Sequence, residues 1–472
     1  RTLSLWGNRW CHRKRLRIAC LPQRMVHRQE MRGLLVLLLQ VGLAVGSFKT
    51  LRVRHTLQGK TGTTNGPKIP AEVLSSDATG SLQYPRIFVY DSKPSWRVYK
   101  NFWKGMSEDD VPCQGDECIY GIKQPISVDG KSWNTRIPGQ FWNGRMYHHR
   151  LVNSYPHIVT DPSEADLFYV PAFTEWSSFH PEDGDVCYNA TEVRESLIHY
   201  NASTAHRHFA ISPRVSSGDQ CPLDLDHGLQ WLSLEDLQYG SKISIPYPTA
   251  LSGMTPSEAH EFLSAVYHVK REHLVAAQFG FHGRTATLRQ SLIAECLKDP
   301  QCANCGELVS RDAGCYVKQY TDSTFCLNPV GDTPSRKGMI DSLVAGCIPV
   351  LYSESQLVMW TNHVGDWRDI AVILPEEQWN NTFSVLRAIP EEEIKTLQRN
   401  IHNINYRLSV YREPEASEAD QVHEADACDV SMATLWAEVR QSESECVGSL
   451  GGTCLPTIHK RMTHTHHSSK KH

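Results

Sequence analysis

The stretch FCLNPVGDTPSRKGMIDSLVAGCIPVLY, residues 325–352, decides the fold class of this chain. It combines a short apolar strand over Phe325–Leu327, a turn rich in Gly and Pro, a helix that begins near Ser335, and a second buried strand over Ile348–Tyr352. Together these form one strand–helix–strand unit. The sequence therefore predicts an α/β protein.

The residues at the ends of the predicted helix support this interpretation. Asp332, Thr333 and Ser335 are side chains that cap helix N-termini, and Pro334 suits a first helical turn. Gly346 suits the position after the helix, where a left-handed backbone is common.

A basic pair, Arg336 and Lys337, falls in the first turn of this helix. Cations are repelled there by the positive end of the helix dipole, so a purely structural role is unexpected. A bound anion would resolve the conflict, because free backbone N–H groups, a guanidinium and an ammonium together suit a diphosphate. The alternative is an ordinary strand–helix–strand unit whose basic pair lies in solvent.

The same stretch resembles the signature of the exostosin-like glycosyltransferases, family 47, with the plant xyloglucan galactosyltransferase branch as its nearest part. The resemblance covers residues 84–439, and several blocks in one order are more specific than any single motif. Further blocks follow the family's order: WNTRIPGQFWNGRMYHHRLVNSYPHIVTDPSEADLFYVPAF (Trp133–Phe173), HRHFAISPRV (His206–Val215), ISIPYPT (Ile243–Thr249), FGFHGR (Phe279–Arg284) and DACDVSMATL (Asp426–Leu435).

This resemblance implies a GT-B fold, with two doubly wound Rossmann-like domains facing a cleft. The first domain, residues 84–250, would take the acceptor, and the second, residues 251–445, the nucleotide sugar. The implied reaction is an inverting transfer of galactose, glucuronic acid or a similar sugar from a UDP-sugar to a glycan or glycoprotein, with no cofactor. Gly338, Met339 and Val330 depart from the family's pattern, so the sugar is not fixed by the resemblance.

Donor-binding roles follow from the basic pair and from the resemblance. We assign Arg336 and Lys337 to the diphosphate, and Ser335 with the helix N-terminus to phosphate oxygens. The family's pattern adds Arg284 for the same group and Asp341 for the ribose hydroxyls. Arg284 closes FGFHGR, in which the run FGF at 279–281 is strand-like.

An inverting transfer needs a general base on the acceptor side. Glu175 follows the strand LFYVPAF, and His208 lies in the strand-like run HFAIS, so both are candidates. The alternative for each is a solvated or structurally bonded side chain.

Metal-dependent enzymes of this kind usually carry Asp-x-Asp after an apolar strand. Asp183-Gly-Asp185 and Asp224-Leu-Asp226 occur, but the residues before them are not strand-like. The sequence therefore predicts that transfer needs no metal. The cysteines at 296–315 include a Cys-x-x-Cys, yet a structural zinc site would want two such units, so disulfides are expected there instead.

Composition and targeting signals favour the secretory pathway. The 472 residues carry a net charge of −4, which gives no general attraction to nucleic acid. A basic and then apolar segment, residues 1–48, has the form of a signal peptide or a signal anchor, and residues 49–83 form a polar stem. The chain would then act in the Golgi lumen as a type II membrane protein, or be secreted.

Further secretory signals are the fifteen cysteines and the sequons at Asn189, Asn201 and Asn380. Close pairs such as Cys113 with Cys118 are plausible bridges. The basic, His-rich tail, residues 446–472, reads as a disordered end.

Two other functions remain open at this point. The chain could be a non-catalytic lumenal partner of a second glycosyltransferase chain, with the donor pocket but no turnover. It could also be a lectin-like protein that binds sugars through its aromatic residues. A diphosphate site argues against both, because a binding-only module does not need one.

Overall fold

A computed structural model describes residues 83–91, 116–171, 190–212, 229–235, 243–281, 283, 285–306, 313–411 and 424–448. Contacts divide the chain into residues 1–66 and 67–472. The first unit lies outside the described residues, and every element below belongs to the second.

The described strands form two parallel sheets and one antiparallel hairpin. The larger sheet has the order β4-β1-β5-β6-β7-β8, the smaller one β10-β9-β11-β12-β13, and the hairpin pairs β2 with β3. The strands are β1 (Ile87–Val89), β2 (Ile122–Val128), β3 (Lys131–Ile137), β4 (Ile158–Val159), β5 (Leu167–Tyr169), β6 (His208–Ile211), β7 (Gln230–Ser233), β8 (Ile243–Ser244), β9 (His273–Ala276), β10 (Cys302–Ala303), β11 (Ser323–Asn328), β12 (Ile348–Leu351) and β13 (Val372–Ile373).

The α-helices connect and cover these strands, and short 3-10 turns lie between several of them. The helices are α1 (Glu117–Tyr120), α2 (Asn143–Asn153), α3 (Ala190–Ser196), α4 (Pro256–His268), α5 (Ala286–Cys296), α6 (Ala313–Thr321), α7 (Lys337–Val344), α8 (Thr361–Val364), α9 (Thr382–Arg387), α10 (Glu391–His402) and α11 (Ala427–Gly448). The mixed fold with parallel sheets confirms the predicted α/β class.

The core of the larger sheet is completed by the last described helix. Side chains of β1 and β5, including Ile87 and Leu167, pack in one cluster with Cys428, Met432 and Leu435 of α11. The chain therefore returns to the larger sheet after building the smaller one. The predicted domain ranges stay predictions.

The stretch that decided the fold class forms the predicted unit. Phe325 of β11 pairs in parallel with Ile348 of β12, and α7 connects the two strands. Gly346 has the predicted left-handed backbone, φ +66°. The next amide, that of Cys347, donates to the Ser342 carbonyl at 2.9 Å, which closes the end of the helix.

The cysteines at 296–315 form disulfides. Cys296 bonds to Cys302 and Cys305 to Cys315, as expected, while the bond between Cys326 and Cys347 was not predicted. The suggested pair of Cys113 and Cys118 lies outside the residues whose side chains are described.

One predicted strand is wrong. The run at 279–281 was expected to be strand-like, but β9 ends at Ala276. Gly280 within this run and the positive φ of +96° at Gly283 favour a turn over an extended strand. Phe279 is consequently buried in a loop rather than in the sheet.

The N-terminal segment and nearly all of the predicted stem and tail lie outside the described residues. Across the residues that are described, no helix is both long enough and apolar enough to span a bilayer.

Candidate donor-binding site

The start of α7 differs from the prediction in its detail. The helix begins at Lys337, and Arg336 precedes it with an extended backbone of φ −148° and ψ 137°. No side chain caps this end, so the predicted capping roles of Asp332, Thr333 and Ser335 are wrong. The Met339 N–H donates to the Arg336 carbonyl at 3.1 Å, whereas the N–H groups of Lys337 and Gly338 have no acceptor within the helix.

Ser335 is held by two side chains that follow strands of the larger sheet. Its backbone N–H donates to Glu235 Oε1 at 2.8 Å, and its Oγ lies 3.0 Å from the Tyr247 hydroxyl. Glu235 follows β7 by two residues, and Tyr247 follows β8 by three. All three residues are buried. Burial raises the pKa of Tyr247, and the nearby Glu235 raises it further, so the phenol stays protonated.

Two guanidinium groups converge beside Ser335. Arg336 Nη1 donates to the Pro329 carbonyl at 3.1 Å, and Arg289 Nη2 reaches the same oxygen at 3.4 Å. The two guanidinium carbons lie 6.0 and 5.9 Å from the ring centre of Phe279. Within the described part of the chain no carboxylate forms an ion pair with Arg336. Positive charge is therefore concentrated in front of α7.

Arg289 also ties together the loops that follow β9 and β11. Its Nη1 donates to the Gly280 carbonyl at 3.2 Å, and a Cβ on Gly331 would lie 3.0 Å from its Nη2. Gly283 approaches the same loop so closely that an added Cβ would lie 2.8 Å from Gly331 C. Burial lowers the pKa of Arg289, while Asp332 opposes the shift.

Lys337 and Asp341 form an ion pair one turn apart on α7. The ammonium lies 2.7 and 2.8 Å from the two carboxylate oxygens, and it also donates to the Tyr316 hydroxyl at 3.4 Å. The side chains are 19% and 6% exposed. Burial raises the pKa of Asp341, and Lys337 opposes this shift. In this structure, the ammonium of Lys337 is thus directed to Asp341.

The exostosin GT47 domain model matches residues 84–389, which include both sheets and the start of α7. The chain belongs to the exostosin GT47 family. It is accordingly a glycosyltransferase, and the two parallel sheets agree with the Rossmann-like GT-B fold that its sequence implies.

Relatives of this GT47 chain in Arabidopsis thaliana are named as galactosyltransferases or as a galacturonosyltransferase. The protein named probable xyloglucan galactosyltransferase GT19 is 23% identical over 367 residues, which cover 68% of this chain and 83% of the relative. Xyloglucan-specific galacturonosyltransferase 1 is 25% identical over 63% of this chain and 48% of the relative. Xyloglucan galactosyltransferase MUR3 is 30% identical over 40% of this chain and 32% of the relative.

His208 of the GT47 domain is completely buried. Its Nε2 lies 2.9 Å from the Tyr90 hydroxyl, its Nδ1 lies 2.9 Å from the Thr204 carbonyl, and its ring stacks on Phe168. Because a carbonyl only accepts, Nδ1 carries the proton and Nε2 accepts from the tyrosine. Burial lowers the pKa of His208 to about 4. Its catalytic role stays a prediction, as does that of Glu175, which lies outside the described residues together with Arg284.

The structure describes two of the three predicted glycosylation sites. Asn201 is exposed, and its Oδ1 accepts from the Ser203 amide at 2.9 Å. Asn380 is also exposed, while Thr382 of its sequon is buried and donates to the Trp379 carbonyl at 2.8 Å. Asn189 lies outside the described residues.

Sequence reasoning missed Arg289, Glu235 and Tyr247. Arg289 lies only five residues after the predicted Arg284, near the start of α5. Glu235 follows an apolar strand, which is the same signal that selected Glu175. Nothing in the sequence pointed to Tyr247 as a site residue except its place after a strand.

Proposed function

We propose that this protein transfers a sugar from a UDP-sugar to a glycan or glycoprotein acceptor, with inversion and without a metal. The observation that supports the donor site is the convergence of Arg336 and Arg289 in front of α7, where Arg336 has no carboxylate partner within the described residues. The names of the relatives favour galactose or galacturonic acid as the sugar and xyloglucan as the acceptor.

The chemistry of transfer explains the arginines. Negative charge develops on the diphosphate as the sugar–phosphate bond breaks, so a fixed guanidinium stabilises the transition state more than the bound donor. We assign the diphosphate to Arg336, with Ser335 and the first-turn N–H groups of α7. Arg284 and Lys337 are proposed for the same group, and Asp341 for the ribose.

Binding of UDP-sugars tests the donor site. Calorimetry with UDP, UDP-galactose, UDP-galacturonic acid and UDP-glucuronic acid should detect one preferred donor. Arg336→Ala should weaken binding at least about tenfold, because a charge-assisted contact to phosphate is lost. Arg368→Ala is the matched control, since Arg368 pairs with the exposed Glu354 at 3.0 Å and should bind as the wild type does. Equal binding by both variants would contradict the assignment.

Transfer to xyloglucan oligosaccharides tests the reaction itself. Release of UDP together with a sugar on the oligosaccharide would support it. Binding of UDP without transfer to any acceptor would instead favour a non-catalytic partner of a second glycosyltransferase chain.

Chelation tests metal independence. The described residues hold no group of three or more His, Cys, Asp and Glu side chains suited to a metal ion. We expect the rate to be unchanged in excess EDTA. A loss of rate that added Mn²⁺ restores would contradict the proposal.

We place this reaction in the lumen of the secretory pathway, in the Golgi apparatus or beyond it. Three disulfides among the described residues support an oxidising compartment. Microscopy of the tagged full chain with a Golgi marker is the direct test.

A further inference from the structure

Glu235 is a buried carboxylate that reaches from the larger sheet to the loop before α7. It is 5% exposed, and its Oε1 accepts the Ser335 N–H at 2.8 Å. Ser335 lies two residues before Lys337, where α7 begins. The carboxylate is therefore held near the positive end of the α7 dipole, a place that favours an anion.

Three groups that the proposed function gives to the diphosphate have acceptors within the protein. The Ser335 N–H is bonded to Glu235, Arg336 Nη1 donates to a backbone carbonyl at 3.1 Å, and Lys337 is paired with Asp341 at 2.7 Å. Of these three acceptors, only Glu235 comes from the turn after a strand of the larger sheet. Its carboxylate thus holds an N–H group that the diphosphate would also need.

The environment of Glu235 differs from that of other buried acids in the described chain. Asp341 is paired with Lys337 at 2.7 Å, and Asp426 with Arg150 at 3.1 Å. No Lys, Arg or His of the described residues forms an ion pair with Glu235. Burying a carboxylate without a cation costs stability. Such a carboxylate can leave its place without stranding a buried cation, which an ion-paired acid cannot do.

The backbone around Glu235 is fixed on both sides. The Ser233 hydroxyl donates to the backbone carbonyl of Glu235 at 2.7 Å. The indole N–H of the fully buried Trp360 donates to the Leu234 carbonyl at 3.1 Å. Because these contacts involve only the backbone of the turn, the carboxylate can swing away from Ser335 by rotation of its own side chain.

We propose that Glu235 is an exchangeable stand-in for the donor's diphosphate, which must displace the carboxylate from the Ser335 N–H. The inference rests on the proposed function. A carboxylate and a phosphate oxygen do not share one N–H group, because two anions at hydrogen-bond distance repel each other. Glu235 therefore lowers the affinity for every ligand that carries this diphosphate, the product UDP included. Its return to Ser335 favours release of UDP after transfer, a step that limits the rate of many enzymes.

A purely structural role of Glu235 predicts the opposite sign. If the carboxylate only fixed the loop before α7, its removal would loosen Ser335 and weaken the binding of UDP. If it competes with the diphosphate, its removal strengthens the binding of UDP. The effect should also depend on the phosphates, because uridine has no group that takes the Ser335 N–H in the proposed site.

Calorimetry of UDP binding to two variants of the full chain tests the proposal. Glu235→Gln keeps the size of the side chain and an acceptor for the Ser335 N–H but has no charge, and it should bind UDP at least about threefold more tightly than the wild type. Glu235→Ala also removes the acceptor, and its gain should reach about tenfold. Glu438→Gln changes another buried glutamate, on α11, and is the matched control that should bind UDP as the wild type does.

Uridine, measured by saturation-transfer NMR, supplies the second readout and should bind the wild type and both Glu235 variants equally. Unchanged or weaker UDP binding by Glu235→Gln, or an equal gain with uridine, would overturn the proposal. A wild type and variants that all fail to bind UDP would refute the proposed function itself. UDP binding that is the same in the wild type and in both Glu235 variants would refute only the role of Glu235.

Discussion

Lys337 lies in the first turn of α7, as predicted, but its side chain contacts Asp341. Its place in the first turn of α7 suggested a cation for a diphosphate. In the structure its ammonium lies against Asp341, one turn further along the same helix. The i,i+4 spacing of a Lys and an Asp was visible in the sequence and predicts such a pair. What could not be read from the sequence is that the Asp341 carboxylate is buried.

This pair gives a prediction for stability. Lys337→Met should lower the free energy of unfolding by about 3 kcal/mol, because it leaves a buried carboxylate unpaired. Lys337→Met combined with Asp341→Asn should recover much of that loss. Urea denaturation of the three proteins measures both changes. A double variant as unstable as Lys337→Met would show that the pair's charge is not the cause.

The sign of the pH dependence follows from the same burial. Burial raises the pKa of Asp341 above 3.8, its ordinary value. A carboxyl with a raised pKa in the folded state stabilises the fold most when it is protonated, and this stability is lost as the pH rises. The Lys337→Met variant should therefore become more stable relative to the wild type as the pH falls from 7.

The contact of Glu235 with Ser335 could not be predicted from the sequence. The rule that an acid after an apolar strand lies at a functional edge pointed to Glu175 and applied equally to Glu235. Only the structure shows that Glu235 contacts Ser335, which is 100 residues away in the chain. A contact at that separation leaves no local pattern.

At the level of elements, the strand–helix–strand unit was predictable because its signals are local. Apolar strands, a helical period and Gly346 lie within 28 residues and agree with one another. The predicted start of α7 was two residues too early, because Arg336 has an extended backbone and the helix begins only at Lys337. The run after β9 was mistaken for a strand, since two aromatic residues outweighed the glycines around them.

The contact between the loops after β9 and β11 gives a prediction at this scale. Gly283→Ala should be more destabilising than Gly130→Ala and should also weaken UDP binding. Both glycines have positive φ, +96° and +75°, so each alanine carries similar backbone strain of about 1 kcal/mol or more. Only at Gly283 would the new Cβ meet a neighbour, Gly331 C at 2.8 Å, whereas nothing lies within 4 Å at Gly130.

Thermal unfolding and UDP calorimetry of the two variants provide the comparison. The difference between them isolates the crowding, since the strain of positive φ is common to both. If Gly130→Ala is as damaging as Gly283→Ala, the close approach of the two loops has no role of its own.

For the whole molecule, buried histidines should make the fold sensitive to acid. Burial lowers the pKa of His148 and His208 to about 4 and that of His363 to about 3. The unfolded chain takes up protons near pH 6.5, so stability falls as the pH drops from 6.5 towards 4, by up to about 1.4 kcal/mol per pH unit for each histidine. Asp429 opposes one of them, because burial raises its pKa to about 7.

A melting series between pH 7 and pH 4 with His208→Gln measures this effect. The variant should lose less stability than the wild type over that range, because glutamine takes up no proton. His268→Gln, at the exposed last residue of α4, is the control and should follow the wild-type curve. Parallel curves for all three proteins would rule out His208 as a source of acid sensitivity.

The return of α11 to the larger sheet has a consequence for the synthesis of the chain. The strands of the larger sheet all precede those of the smaller one, yet Cys428, Met432 and Leu435 of α11 complete the larger sheet's core. That core can therefore close only after nearly all of the described chain has been made. A chain cut short before α11 would leave the apolar side chains of β1 and β5 without part of their packing.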